Sequence, residues 1–356
     1  MIDFDPGDDL ALLVETARKF AAEALRPRLR DAESARAVEP SVRESFDAIG
    51  LAGLEWPEDA DGAGLGPLAR VLVNEELAAA DAGASLALDA AGPALYAVLE
   101  VDDAEVTNAL REAVASPGTR VAFLDATTDR VAVNGQHIDA DAAWVPADRV
   151  DLVVALVGDE VVLAREGIET TALRGAGLRA AGACALHLAA APIVARASRP
   201  GCGERVRARA RVYAASLLLG VLRDACDFSR NYAQERQAFG RPIAHHQALA
   251  FLITDMQMAL DGARLLVHEA AWHLETGRDA TEVAAAAFAQ CIEASRLIGP
   301  NGVQILGGHG FMADYPMEKA MRESRALGLW LGGFDAAIDD AGRALCESEG
   351  PALEFA

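Results

Sequence analysis

The chain has 356 residues, a formal net charge of −22 and 52% hydrophobic residues. This length is sufficient for two or three domains with a substantial buried core. The negative charge argues against binding to nucleic acid or to an anionic membrane, because both would be repelled over most of the surface. An anionic small ligand would therefore need a local basic pocket.

The residue pattern of the first third predicts helices separated by Gly and Pro clusters such as WPEDADGAGLGP. A series of short segments that favour β-strands follows over about 119–197. Long helical patterns then return. The predicted helices are 8–25, 41–49, 67–80, 84–99, 103–115, 204–238, 242–276, 280–307 and 324–348. We therefore predict an α+β protein with an N-terminal helical domain (1–117), a small middle β domain (118–200) and a C-terminal four-helix bundle (201–356).

The cysteines and the N-terminus bear on location and metal content. The five cysteines are Cys184, Cys202, Cys226, Cys291 and Cys346. They form no C-x-x-C pair and have no His at zinc-site spacing, so we predict no metal site and a reducing compartment. The acidic start MIDFDPGDDLALL lacks the layout of a secretory signal, and no run is apolar for long enough to span a bilayer. A cytoplasmic protein without membrane insertion is expected.

Arginines alternate along the predicted helix in GERVRARARVYAASLLLG, residues 203–220. At about 100° per residue, Arg207 and Arg211 lie beside the apolar stripe, whereas Arg205 and Arg209 point nearly opposite and should meet water. A charge run is usually a solvated face, so the pattern only nominates Arg207 and Arg211 for a pocket.

A second basic candidate lies in ERQAFGRPIAHHQ, residues 235–247. Gly240 suits the left-handed residue after a helix, and Pro242 suits the first turn of the next helix, which predicts a tight helix–helix corner. Arg236 would lie in the last turn of the first helix, and the free N–H groups after Pro242 would suit a phosphate. The alternative is that Arg236 only complements the helix dipole.

A third stretch, QILGGHGFMADYPMEKAMRESR (304–325), carries glycines that permit close backbone approach to a ligand. Together, YAQERQAFGRPIAHHQ and, some sixty residues later, QILGGHGF-x-x-x-YP-x-E-x-x-x-R resemble the C-terminal half of the acyl-CoA dehydrogenase family. The phrase IGLAGLEWPEDADGAGLG (49–66) resembles an early segment of the same family. The helix–β–helix order fits this resemblance, and no G-x-G-x-x-G follows a strand, so a Rossmann domain is unsupported.

The resemblance implies an FAD site built across a subunit interface. Arg236 and Phe239 match the family's R-x-x-F pair, in which the arginine meets the FAD pyrophosphate and the phenylalanine packs near the cofactor. The other implied FAD contacts are Gln247 in the next helix and, toward the FAD of a neighbouring subunit, Gln304, Gly307 and Gly308. Arg211 matches an arginine of the active-site helix and is a candidate for substrate binding. An oligomer is thereby implied.

The reaction implied by the resemblance is removal of an α-proton from an acyl-CoA thioester by a carboxylate, with transfer of the β-hydrogen as hydride to FAD. Most members place that carboxylate at a slot that is Leu331 here. Other members place it at a slot that is Ala210 here. Neither side chain can accept a proton. Compared with the family that the chain resembles, the middle domain also lacks the T-E-x-x-x-G-S-D segment and is shortened. The resemblance therefore implies that its flavin-facing half is incomplete.

Three functions remain open from the sequence. The first is the subunit without a base in a heteromeric α2β2 acyl-CoA dehydrogenase, resembling actinobacterial sets that include ones acting on steroid side-chain thioesters; a second dehydrogenase chain would supply the base. The second is a self-sufficient enzyme with an unusual base such as Asp335 or Glu323. The third is a non-catalytic acyl-CoA or flavin-binding relative. For either enzyme, electron-transfer flavoprotein is the acceptor implied by the resemblance.

Overall fold

The computed structural model describes residues 7–60 and 62–347. Its N-terminal part is helical, and the helices are α1 (Asp8–Phe20), α2 (Leu29–Ala35), α3 (Pro40–Ala48), α4 (Pro67–Leu88), α5 (Ala94–Val101) and α6 (Ala104–Val114). A π-helical turn and a 3-10 turn join α1 to α2. A first buried cluster forms where α1 and α3 pack on α4, with Phe20 and Phe46 in ring contact.

A mixed β-sheet follows the helices. Its strands are β1 (Val121–Asp125), β2 (Arg130–Asn134), β3 (His137–Val145), β4 (Leu152–Val157), β5 (Glu160–Ala164), β6 (Ile168–Ala172) and β7 (Cys184–Ser198). The spatial order is β1-β4-β5-β7-β3-β2, with β6 also paired to β7. Only the β1–β4 pairing is parallel among the described strands of this sheet. The long strand β7 serves both halves of the sheet, which is why the sheet curls.

The C-terminal part returns to helices. They are α7 (Cys202–Glu235), α8 (Gln247–Glu275), α9 (Thr281–Leu306), α10 (Met317–Leu327) and α11 (Gly333–Glu347). Helices α7, α8 and α9 pack on one another, and α10 and α11 pack on α9. The predicted helix–β–helix order is therefore confirmed. Within the described ranges, no helix combines the length and apolar character needed to cross a bilayer.

The prediction of a helix over 84–99 is wrong. Helix α4 continues to Leu88 through a kink at Asp81, where φ is −162° and ψ is 105°. The Asp81 carboxylate accepts the Ala84 N–H at 3.0 Å and so caps the second half of the helix. A turn then separates α4 from α5, because Asp89 accepts the Gly92 N–H and Gly92 has φ of +47°.

A further boundary differs from the prediction. The segment predicted as one helix over 324–348 is divided between α10 and α11, because Leu331, Gly332 and Gly333 all have positive φ; residue 348 lies outside the described part. The helix predicted over 280–307 is present as α9, with Pro300 inside it.

Helices α4 and α7 cross at close range, and Gly220 makes that approach possible. A Cβ at position 220 would lie 2.5 Å from the carbonyl oxygen of Glu75. Real Cβ atoms do not approach backbone oxygen that closely, so any larger residue must separate the two helices. This contact sets the spacing between the N-terminal helices and the C-terminal bundle.

A buried ion cluster ties α10 to the kink in α4. Lys319 is 3.1 Å from Asp81 and also pairs with Glu323. Arg322, also on α10, connects this helix to α2, because its guanidinium lies 2.6 Å from the Glu33 carboxylate. Burial raises the pKa of Glu323 to about 7, against the opposing effect of Lys319 and with Asp81 adding to the rise. The cluster connects three helices that are distant in sequence.

We expect Gly220→Ala to lower the free energy of unfolding by about 1–3 kcal/mol, because the added methyl overpacks the α4–α7 crossing. Gly262→Ala is the matched control: Gly262 lies within α8, and a Cβ there meets nothing within 4 Å. The control should be neutral or more stable by about 0.4–1 kcal/mol. Urea unfolding of both variants measures this, and equal effects at the two sites would contradict the close-packing argument.

The raised pKa of Glu323 predicts a pH-dependent contribution to stability. From about pH 4.5 to about 7, the unfolded chain loses this proton while the native state keeps it, so the contribution falls as pH rises. Glu323→Gln lacks this titration, so the stability of wild type relative to the variant should decrease over that window. Urea unfolding across the window provides the measurement.

Glu318→Gln is the control for this pH series. Burial opposes the ionised form of Glu318, but Arg322 and Arg30 outweigh burial and lower its pKa. Its titration therefore lies below the window, and its difference from wild type should stay constant there. A constant difference for Glu323→Gln as well would refute the prediction.

Candidate functional site

The stretch after α7 is a β-hairpin, and the predicted helix–helix corner is wrong. Arg236 has an extended backbone and ends the helix. Gln237–Ala238 pairs with Arg241–Pro242, and the two turn residues, Phe239 and Gly240, have φ of 52° and 79°. Two positive φ values make this a tight hairpin turn of the type that matches strand twist. The Ile243 N–H donates to the Arg236 carbonyl, so it is not free for a phosphate.

The hairpin and the turn after α9 border one groove of about 550 Å³, which we call the hairpin–glycine groove. Arg236 and Phe239 line it from one side, and Gln304, Gly307 and Gly308 line it from the other. Five of the six residues predicted to contact FAD thus share one groove. Gln247 is exposed at the first residue of α8, next to the lining residue His246, and does not itself line the groove.

The groove differs in charge from the rest of the acidic chain. Among the described residues that line it, none is Asp or Glu, whereas Arg236, His246 and His309 are basic or can become so. The Arg236 side chain is exposed and makes no ion pair with any described residue. A carboxylate-free groove with an unpaired guanidinium suits an anionic ligand. Phe239 is 96% exposed at its rim.

His309 is held in a fixed orientation on the glycine side. Its ring stacks on Tyr315 at 4.7 Å with 8° between the planes, and its Nδ1 lies 2.9 Å from the Tyr232 hydroxyl. A Cβ at Gly310 would lie 2.3 Å from the Val303 carbonyl oxygen, so only glycine permits this turn to fold back on α9. Neither feature was identified from the sequence, although the G-x-G spacing around His309 signals a tight turn.

The two positions predicted as base slots, Ala210 and Leu331, carry no ionisable group. Ala210 is 1% exposed in the first third of α7. Leu331 is half-buried with φ of 52° in the bend between α10 and α11. A Cβ at the adjacent Gly332 would lie 2.5 Å from Thr128 Cγ2, so the turn between β1 and β2 presses directly on this bend.

Aromatic side chains fill the interior next to Leu331. Tyr213 is 2% exposed, and its ring packs edge-on against Trp330 at 6.4 Å. Tyr96 packs on the other side of Tyr213 at 6.1 Å. The guanidinium of Arg209 lies 4.7 Å over the Tyr96 ring. The side chains between Trp330 and α5 therefore form a packed wall.

A buried ion network, absent from the sequence prediction, supports this wall. Arg70 Nε donates to Glu55 at 2.9 Å, and its Nη1 lies 3.4 Å from Asp89. The Tyr96 and Tyr213 hydroxyls donate to Glu55 and Asp89 at 2.8 and 3.0 Å. Burial opposes the charge on Arg70, but Asp89 and Glu55 outweigh it and raise its pKa. Burial together with these carboxylates raises the pKa of each tyrosine, so both remain donors.

The burial of the arginines of α7 differs from the helical-wheel prediction. Arg209 is not solvated: its side chain is 14% exposed and pairs with Glu55 and Glu100. Arg209 contacts the buried ion network because α5 covers this side of α7. Arg205 pairs with Glu100 at 2.8 Å and is more exposed, while Arg207 lies 3.7 Å from Asp125.

Arg211, the predicted substrate contact, is buried. Its side chain is 5% exposed and pairs with Asp340 of α11 at 2.5 Å. Contact with a substrate would require this pair to open.

A second cleft of about 570 Å³ lies between the β-sheet and the C-terminal helices. Trp144 and the chain at Gly175–Gly177 border it on one side, and Met321, Arg325 and Leu329 border it on the other. Leu329 is 64% exposed, and the Arg325 side chain has no ion-pair partner among the described residues. This cleft therefore has an aromatic side chain, Trp144, on one side and the unpaired guanidinium of Arg325 on the other.

We expect Arg236→Met to weaken ADP binding at the hairpin–glycine groove by about 10- to 100-fold, the effect of losing one charged hydrogen-bonding partner worth about 1.5–3 kcal/mol. Arg230→Met is the control, because Arg230 lies six residues earlier, within α7, and pairs with Asp227 on the surface. Isothermal titration with ADP distinguishes the two. An equal loss in both variants would mean that only general charge matters.

Comparison with known proteins places this geometry in a family. Short-chain specific acyl-CoA dehydrogenase, mitochondrial, of Homo sapiens is 27% identical over 354 residues, covering 90% of this chain and 86% of that protein. The solved structure described as a "Tcur3481-Tcur3483 steroid ACAD" variant has a TM-score of 0.82 at 22% identity, covering 95% of this chain and 98% of its own. The FAD complex of PigA has a TM-score of 0.82 at 18% identity, covering 97% and 99%.

Two family models cover most of the chain. The model for the acyl-CoA dehydrogenase N-terminal domain matches residues 7–107, and the model for the C-terminal domain matches residues 207–345. The unmatched middle is the curled sheet that the family's fold also contains. FAD, the predicted cofactor, is the cofactor of this family, and the cationic groove fits its phosphates. The chain belongs to the acyl-CoA dehydrogenase family of FAD-dependent oxidoreductases.

Proposed function

We propose that this chain is the subunit without a catalytic base in a heteromeric acyl-CoA dehydrogenase that desaturates an acyl-CoA thioester. The observation that carries the proposal is the base slot. Leu331 and Ala210 cannot take a proton, and the interior beside them is closed by Tyr213 and Trp330. A second dehydrogenase chain supplies the carboxylate and the acyl pocket.

The reaction requires two things of the assembly: a base at the α-carbon and a hydride acceptor at the β-carbon. FAD, when bound, supplies the acceptor. In this chain Arg236 neutralises phosphate charge, and Gln304 with Gly307 and Gly308 allows close contact with the nucleotide half. The hairpin–glycine groove is open, and Phe239 extends from it with 96% of its surface exposed. A long cofactor in this groove would therefore extend onto a neighbouring chain.

The second cleft, bordered by Trp144 of the β-sheet, indicates that this chain's own middle domain also contacts a ligand or partner. It lies between the sheet and α10, so a flat ring system there would contact both domains. Its mainly apolar lining and free Arg325 suit an aromatic group attached to phosphates. We propose that a flavin ring or the ring of a partner residue enters this cleft in the assembled enzyme.

The self-sufficient enzyme is the second candidate, and its proposed bases are poorly placed. Glu323 is 3% exposed and paired with Lys319, so it does not reach a substrate unless the ion cluster opens. Asp335 is exposed in the first turn of α11. A non-catalytic binding relative is the third candidate, and retention of the unpaired Arg236 in a carboxylate-free groove weighs against it.

The test is to purify the chain alone and together with a second family member from the same genome that carries glutamate at the slot matching Leu331. We expect the pair, and not the single chain, to show flavin absorbance and to reduce electron-transfer flavoprotein with an acyl-CoA. Flavin and turnover in the chain alone would establish the self-sufficient enzyme. A colourless, inactive protein in both preparations would favour the binding relative.

We also expect that Leu331→Glu by itself creates no dehydrogenase, because the buried Tyr213 packs against the preceding residue Trp330 and fills the interior there. The single variant and the double variant Leu331→Glu, Tyr213→Ala are assayed for acyl-CoA-dependent flavin bleaching, with circular dichroism as the folding control. Turnover by the single variant would show that an acyl pocket already exists beside residue 331, against the proposal.

A further inference from the structure

Helix α8 exposes a straight apolar stripe. Four large side chains recur every seven residues, and we call them the α8 stripe: Phe251, Met258, Leu265 and Trp272. Their exposed fractions are 60%, 67%, 60% and 44%. They span 21 residues, or about 32 Å at 1.5 Å per residue. A seven-residue repeat keeps such side chains on one line, as in helices that pack along a partner helix.

The core of this chain does not require the stripe. The opposite face of α8 is the one that packs on α7 and α9, through Met256, Leu260, Ala263 and Val267, each at most 1% exposed. Met256 and Met258 differ by about 200° around the helix, so they point in opposite directions. The stripe is thus a second apolar face on a helix whose structural face is already covered. Exposed apolar surface of this extent marks an interaction site.

The charges beside the stripe indicate what kind of helix could cover it. Asp255, Asp261 and Glu269 are exposed on this side of α8. Asp261 is 3.1 Å from Arg264, whereas Asp255 and Glu269 make no ion pair with any described residue. Arg264 is the only Lys or Arg in α8, and Glu75 holds it at 2.8 Å. The border of the stripe is therefore acidic from Asp255 to Glu269, whereas at its far end the Arg278 guanidinium lies 4.3 Å over the Trp272 ring.

We propose that the α8 stripe docks against a helix of a chemically different chain, one with its own apolar seam bordered by Lys or Arg. A second copy fits poorly, because packing α8 on α8 would align acidic borders in a molecule that already carries a charge of −22. This inference rests on the proposed heteromer and specifies the chemistry of the partner. It also explains how an acidic subunit avoids pairing with itself.

The experiment uses a charge-reversed form of this chain as the probe. The variant Asp255→Lys, Asp261→Lys, Glu269→Lys keeps the apolar stripe and gives it a basic border. We expect wild type mixed with this variant to associate at least about tenfold more tightly than either protein alone, and salt to weaken the complex. Sedimentation velocity at low and high salt measures both.

Two controls locate the effect. Glu44→Lys, Glu105→Lys, Glu112→Lys makes the same change in net charge at exposed positions on α3 and α6 and should give no complex. Adding Leu265→Glu to the probe should abolish the complex. Wild type that self-associates through α8 more tightly than the mixture would identify a second copy as the occupant and overturn the proposal. No complex in the mixture beyond that of the control would overturn docking at this face.

A second measurement links the face to the natural partner. Leu265→Glu should reduce assembly with the base-bearing dehydrogenase chain at least about tenfold, whereas Leu12→Glu, which changes a residue of α1 that is 69% exposed, should not. Assembly unaffected by Leu265→Glu overturns the docking site and leaves the proposed function intact. A heteromer that never forms refutes the proposed function, and the mixing experiment still reports on the α8 stripe.

Discussion

Arg70 holds Glu55 and Asp89 together inside the interface of α4, α5 and α7, and the arrangement of the catalytic region depends on that buried charge. Buried carboxylates are costly unless they are paired and hydrogen-bonded. The hydroxyls of Tyr96 and Tyr213 complete the pairing, and their rings must then lie between the network and Trp330. Trp330, the residue before the predicted base slot Leu331, is therefore held by aromatic rings that have a structural role of their own.

Among the described residues, two ligand-sized openings of this acidic chain are lined without Asp or Glu: the cleft bordered by Trp144 and the hairpin–glycine groove. The hairpin–glycine groove lies at the N-terminal end of α8, and the acidic-bordered stripe runs along the rest of the same helix. The two surfaces would attract opposite kinds of partner: a phosphate-bearing molecule at the groove and a basic helix along the stripe.

Two of the six described non-glycine residues with positive φ lie at bends beside the predicted site residues. Phe239 and Leu331 are non-glycine residues with φ near +52°, a conformation that normally favours glycine. Each is followed by glycine, which allows the turn to continue. The first bend projects an aromatic side chain from the groove, and the second places an apolar side chain at the base slot. Surrounding contacts, including Thr128 against Gly332, must hold these conformations.

Some of this could be predicted from local sequence. The helix–β–helix order follows from residue patterns that repeat every few positions, and the Arg236 and Gly307–Gly308 segments are recognisable because their spacing within each segment is short. The break at Leu331–Gly333 and the hairpin at Phe239–Gly240 were misjudged. Isolated Gly and Pro residues are compatible with several turn types, and the choice depends on what packs against them.

The sequence by itself determined the family, the order of the elements and the absence of an ionisable residue at both base slots, because these are properties of residue identity and short-range spacing. Tertiary structure alone decided that Arg209 is buried, that Tyr213 packs against Trp330, and that five candidate cofactor contacts share a groove. Those outcomes join residues tens to hundreds of positions apart. They depend on how closely α4 and α7 approach at Gly220, a distance that no local pattern encodes.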